Sequence, residues 1–83
     1  MTDTNHTHHI LIVEDDIVTR ARIAAYFEAE SYLVSQSEDG EGIHRMIAES
    51  TIDVVLMDIN LPGNDGLQLA RELSEKTDVG IIL

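Results

Sequence analysis

Three acids and one stiff loop carry the chemistry available to this sequence. Glu14 and Asp15 close the apolar run HILIV (residues 9–13), and Asp58 falls near the end of DVVLMDI (53–59), just before Asn60, Pro62 and Gly63. Like charges held close repel and raise one another's pKa unless a cation offsets them, and all-oxygen ligation favours Mg²⁺ or another hard divalent ion. In such a pocket Asp58 faces a phosphorylated ligand. Its carboxylate can attack phosphorus to form an acyl phosphate, while a metal neutralises the developing charge. The loop suits that role: its backbone can supply a carbonyl ligand and an N–H for phosphoryl oxygens, and Pro62 stiffens it. The plainer alternative is that Asp15 and Asp16 cap a helix, Asp58 ends a strand, and nothing binds. That alternative is the better one for any of these residues alone. It loses ground when two acidic strand ends and a Pro-Gly loop occur together.

The elements that must position these acids alternate in type. His9 to Val13 is apolar on both faces, as a buried parallel strand is. Ile17 to Glu30 has a helical period, with Ile23 and Phe27 four apart, Ala24 and Arg20 flanking, and Asp16 able to cap the start. Tyr32 to Gln36 is a second, more polar strand suited to a sheet edge. Asp39 to Glu49 is a second helix with Ile43, Met46 and Ile47 on one face, weakened at its start by Gly40 and Gly42. Asp53 to Ile59 is a third strand, as apolar as the first and expected beside it. Asp65 can cap a third helix whose inward stripe is Leu69, Ala70 and Leu73, and Val79 to Leu83 opens a fourth strand. Strands alternating with helices imply right-handed crossovers and a parallel sheet covered on both faces. Ligands in such sheets bind beyond the carboxyl ends of the strands, which is where Glu14, Asp15 and Asp58 fall.

Composition narrows the class. The chain has 83 residues, enough for one small domain. Hydrophobic residues make up 43% and aromatics 4%, so the core is built from Ile, Leu, Val and Ala. A net charge of −11 is a poor match for direct binding to nucleic acid or an anionic membrane. No cysteine is present, and no apolar run approaches the ~20 residues that cross a bilayer, so a cytoplasmic setting is expected. Residues 1–8 read as a mobile polar tail. His6, His8 and His9 could bind a metal, although neighbouring histidines on a tail are more often incidental. Four strands and three helices leave one sheet face short of cover, and the stop inside an apolar strand reads as a piece of a longer chain or a domain completed by another copy.

ILIVEDD (10–16) followed by VVLMDINLPGNDG (54–66) resembles the receiver domain of two-component response regulators. The resemblance runs from His9 to Leu83. It is strongest toward the OmpR-like class, and within it toward respiratory regulators of the Arc and Tor types. It implies an α/β, flavodoxin-like (CheY-like) doubly wound parallel sheet of (βα)₅ form with strand order 2-1-3-4-5, of which only the part from the first to the fourth strand is present. It further implies that Asp58 is the phosphoacceptor, taking a phosphoryl group from a histidine kinase, and that Asp15 ligates Mg²⁺ directly. By the same resemblance Glu14 acts on the metal through water and the Asn60 backbone carbonyl completes the site. Residues 9–83 are then a partial receiver. The family's switch Thr or Ser, its Lys, and the fourth helix, fifth strand and fifth helix all fall after Leu83, as does the DNA-binding domain. The implied partners are a sensor kinase or phosphotransfer domain, a second copy as in the family's homodimers, and DNA only through that further domain. Such a protein is a signalling switch rather than a turnover enzyme.

Two other functions compete. A Mg²⁺-dependent phosphohydrolase with an aspartyl nucleophile usually carries a second carboxylate two residues after the first, and Asn60 stands there instead. A phosphate-independent interaction module of the same fold leaves Asp58 and Asp15 no reason to converge. Among remaining residues, Tyr26, Phe27 and Tyr32 read as core or half-buried packing, Met46 and Met57 as core filling, and His44 beside Arg45 as solvated. Arg20 and Arg22 are either kinase-steering charges or plain surface.

Overall fold

The computed structural model describes residues 8–58 and 66–83. Along the chain run β1 (His9–Val13), α1 (Ile17–Ala29), β2 (Leu33–Ser37), α2 (Ile43–Glu49), β3 (Val54–Met57), α3 (Gly66–Lys76) and β4 (Gly80–Ile82). All strand pairs are parallel, in the order β2-β1-β3-β4. The two most apolar strands are neighbours at the centre, and the polar β2 lies at an edge. This is what continuous Val, Ile and Leu runs require, since a strand covered on both faces has no room for alternating polar residues.

Alternation along β1 divides the core. Leu11 and Val13 point to the side of α2 and α3, packing with Ile43, Val55, Met57, Leu69 and Leu73. Ile10 and Ile12 point to the side of α1 and meet Ala24, with Ile23, Phe27, Val34 and Val54 around them. The Leu69, Ala70 and Leu73 stripe is buried as its spacing predicts, and Met46 and Met57 both line the larger cluster.

Several boundaries differ from the sequence expectation, each for a local reason. The second helix begins at Ile43 rather than Asp39. Gly42 at its N-cap adopts φ +81°, a left-handed conformation that stops the helix from extending backwards. Asp39 instead turns the chain, its Oδ1 accepting the Glu41 N–H at 3.0 Å while the Ser37 hydroxyl donates to its carbonyl at 2.8 Å. The second strand is shifted by one residue to Leu33–Ser37, because Tyr32 is taken up in closing α1. The third and fourth strands are each shorter than their apolar runs: Asp53 and Asp58 flank β3, and Val79 and Leu83 flank β4. The tail ends one residue earlier than expected, since the His8 carbonyl already accepts the Leu33 N–H at 3.0 Å. Residues 1–7, Ile59 and the expected Asp65 cap lie outside the described residues.

Tyr26 overturns the packing expectation, being 63% exposed, whereas Phe27 is half-buried and Tyr32 sits at the margin. The aromatic pair Phe27–Tyr32 has a definite job in the C-terminus of α1. Tyr32 N–H donates to the Phe27 carbonyl and Ser31 N–H to the Glu28 carbonyl, both at 3.0 Å. This is a Schellman closure, and the two rings stack edge to face at 5.6 Å across it. The closure needs a left-handed residue, and Ser31 takes φ 71° where glycine would be unstrained. Replacing Ser31 with Gly should therefore raise unfolding stability in urea by about 0.5 kcal/mol, strain relief outweighing the added freedom of the unfolded chain. An unchanged or lower midpoint would show that the Ser31 conformation carries no strain.

Candidate functional site

Register sets the site. In the β1·β3 ladder Val13 stands opposite Met57, so the next residues, Glu14 and Asp58, leave the sheet side by side. Two backbone bonds hold them there: Asp58 N–H donates to the Val13 carbonyl at 3.1 Å, and Glu14 N–H to the Ser37 carbonyl of the edge strand at 3.0 Å. Carboxylate oxygens of Glu14, Asp15 and Asp58 all lie within 4.8 Å of one another, Asp15 exposed and the other two half-buried. The three acids singled out from the sequence thus converge. Asn60, Pro62 and Gly63 lie outside the described residues.

The start of α1 braces the acidic end of β1. The Asp16 side chain caps the helix by accepting the Thr19 N–H at 2.8 Å, and Asp16 N–H in turn donates to Glu14 Oε2 at 3.1 Å. Thr19, through that N–H and its hydroxyl, holds the Asp16 carboxyl below the ordinary carboxylate value. Such a cap contributes stability above the unfolded-state pKa and loses it as pH falls through the lower folded-state value. Arg20 Nη1 donates to the Glu14 carbonyl at 2.8 Å. That guanidinium is tied to the base of the site, a role its position on the helix did not betray, because only the fold brings residue 20 back over residue 14.

Electrostatics at the cluster are unfavourable without a counter-ion. The Asp16 N–H pulls the Glu14 pKa down. Burial, a hydrogen bond with Asp15 and the charges of Asp58 and Asp15 together outweigh it, so Glu14 sits above its usual value. The donor set matches a hard divalent cation: three carboxylates, no nitrogen or sulfur, and oxygens that need only small rotations to converge at the ~2.0–2.1 Å contacts of Mg²⁺. Beside Glu14 and Asp58 a cleft of about 310 Å³ opens over Ile12, Ile23 and Leu56, giving the site an apolar floor on the α1 side.

Comparison with known proteins agrees with this geometry. Residues 10–83 match the family model described as the response regulator receiver domain. The chain belongs to that receiver family. The aerobic respiration control protein ArcA of Escherichia coli K12 is 51% identical over 76 residues, which is 92% of this chain and 32% of ArcA. The chain thus spans about a third of the length of such curated relatives. Among solved structures, the receiver domain of the TMAO respiratory regulator TorR superposes with a TM-score of 0.83 at 47% identity, covering 89% of this chain and 62% of that one. TrrA of Thermotoga maritima, solved with Mg²⁺ and BeF, gives 0.83 at 32% identity, covering 93% and 68%. TrrA was also solved in complex with the histidine kinase ThkA, matched at 30% identity, with a TM-score of 0.83 over 90% of this chain and 66% of that one. The receiver sheet order begins 2-1-3-4, as found here.

The candidate histidine cluster of the tail does not hold together. Both His9 ring nitrogens are engaged, one 3.1 Å from the Thr51 carbonyl and the other 2.7 Å from Ser35 Oγ, while His9 N–H donates to Asp53 at 2.7 Å. His9 therefore ties together the ends of three strands opposite the acidic edge. His44 is exposed, as expected, 3.7 Å from Glu72. Among the described residues no helix is long and apolar enough to cross a membrane.

If the three acids repel as their spacing requires, Asp58→Asn stabilises the metal-free protein. The expected gain at neutral pH is on the order of 1 kcal/mol, the Coulomb energy of two charges at this separation in water. The sign follows from Glu14: with its folded-state pKa raised, ionising it costs stability as pH rises, so the gain should fade as pH drops and Glu14 takes up its proton. Chemical denaturation of both proteins at neutral and acidic pH, without divalent ions, checks this; a destabilised variant at neutral pH would contradict it.

Proposed function

We propose that this chain is the phosphoacceptor part of a two-component receiver, and that Asp58 takes the phosphoryl group. The observation that carries the reading is the convergence of Glu14, Asp15 and Asp58 at adjacent strand ends, their oxygens within 4.8 Å of one another. Asp58 is the member held by the central strand and opening on the cleft, so its carboxylate has an approach path. The reaction is a displacement at phosphorus. An Asp58 oxygen forms the new P–O bond as the P–N bond of a phosphohistidine breaks, and the imidazole leaves. Asp15 and Asp58 are the direct oxygen ligands of a bound Mg²⁺, with Glu14 acting through water and the Asn60 carbonyl completing the set. The ion supplies neutralisation of charge on the transferring group. Arg20 and the Asp16 cap keep the Glu14-Asp15 turn rigid, which fixes the spacing between metal oxygens and acceptor.

The donor is a histidine kinase or phosphotransfer domain, a reading supported by the kinase complex of TrrA. By the same likeness, residues 9–83 form the β1 to β4 portion of a receiver, Pro62 and Gly63 shape the loop beside the acceptor, and the whole protein is a cytoplasmic transcriptional regulator. The phosphohydrolase alternative gains nothing from the site, since the three converging acids leave none placed two residues beyond Asp58.

The test uses a protein carrying the entire receiver, including these residues, with acetyl phosphate and Mg²⁺ and readout by intact mass. One base-labile phosphoryl adduct is expected, lost in Asp58→Asn and formed at least roughly a hundredfold more slowly in Asp15→Asn, in keeping with the weight of metal charge in such transfers. No adduct, or one that persists in Asp58→Asn, overturns the reading.

A further inference from the structure

The two faces of the sheet are covered unequally. Among the described residues α2 and α3 lie on one face and α1 alone on the other. Beside α1 a trough of about 320 Å³ is left over the sheet, lined by Ile10, Phe27, Tyr32, Val54, Leu56 and Ile82. Ile82 is 54% exposed there. A parallel sheet is stable when both faces are buried, so the trough has the shape and chemistry to receive one more helix.

The outer side of α1 is unusual in the same way. Surface helices place polar residues outward, as α3 does with Gln68, Arg71, Glu72 and Glu75. On α1 the outward positions are Ile17, Val18, Ala21, Ala25 and Tyr26, with Ile17 68% and Val18 58% exposed. A helix that is apolar nearly all round belongs between two layers. It is also the exception to the chain's charge: Arg20 and Arg22 outnumber Glu28 on α1, while the whole chain carries −11. The helix that needs cover is thus the one surface suited to a second acidic copy.

We propose that two copies of this 83-residue chain associate face to face, the outer side of each α1 filling the trough of the other. The arrangement is isologous, because one protruding helix and one trough occur side by side on the same surface. It sandwiches α1 and its symmetry mate between two sheets and gives every sheet face two helices. This uses neither Asp58 nor the metal ligands, so its outcome is independent of the phosphoacceptor reading.

Sedimentation of the 83-residue chain from about 1 µM to about 500 µM tests it, with a monomer–dimer constant expected on the order of 10 µM. Salt should tighten the dimer by screening the like net charges. Tyr26→Asp and, separately, Ile82→Asp should each weaken association at least roughly tenfold while leaving the helical circular dichroism unchanged, since both side chains are largely exposed. Tyr26 lies away from the β4 edge, so it separates trough packing from edge-to-edge strand pairing. A monomer at every concentration overturns the proposal, as a trough filled by the chain's own N-terminal residues or open to a kinase helix would give. A dimer indifferent to Tyr26→Asp overturns it as well.

Discussion

Everything functional in this molecule depends on the parallel pairing of β1 and β3. Because Val13 and Met57 are opposite one another, the residue that follows each is released at the same height, and each of those residues is an acid. A one-residue slip would turn every side chain to the other face, moving Leu11 and Val13 out of the larger core cluster and separating Glu14 from Asp58. The apolar core and the acidic site are therefore specified by one register. The core holds the acids in a geometry they would not adopt themselves, and their mutual repulsion is the cost that a bound cation removes.

The bracing around that register is distributed among small contacts. Ser37 on the edge strand holds Glu14 by its backbone, Asp16 joins the acidic turn to the start of α1, and Arg20 ties the first turn and a half of the helix back to Glu14. At the opposite edge His9 links β1 to β2 and to the segments flanking β3. The acids are thus rigidly mounted on one side, where β1 meets α1. A rigid mount of this kind suits a site whose task is to hold a phosphoryl group at a fixed distance from a cation.

Much of this was readable in the residues. Continuous apolar runs identified the two central strands, the polar run YLVSQ identified an edge, and the Leu69-Ala70-Leu73 stripe identified the buried side of α3. Glu14, Asp15 and Asp58 were legible because acids at the ends of buried strands have few other reasons to be there. What escaped depends on three-dimensional closure. Arg20 bonds a carbonyl six residues back, and any residue type could supply that carbonyl. His9 looked like part of a histidine tail because its partners, Ser35 and Thr51, are remote in sequence. Tyr26 was misjudged because an aromatic at helical spacing marks a buried face only where a second layer exists to bury it. The delayed start of α2 was signalled by Gly40 and Gly42, but not how far a left-handed Gly42 would set it back.

The central claim is that the acid cluster is a divalent-cation site organised around Asp58. Titrating the 83-residue chain with Mg²⁺ while following backbone amide resonances tests it most directly. The account predicts saturable shifts at Glu14, Asp15 and Asp58, abolished by Asp15→Asn, with the His9 end of the sheet unmoved. Shifts spread evenly over all acidic residues, or a response at Glu14 and Asp58 that survives Asp15→Asn, would contradict it.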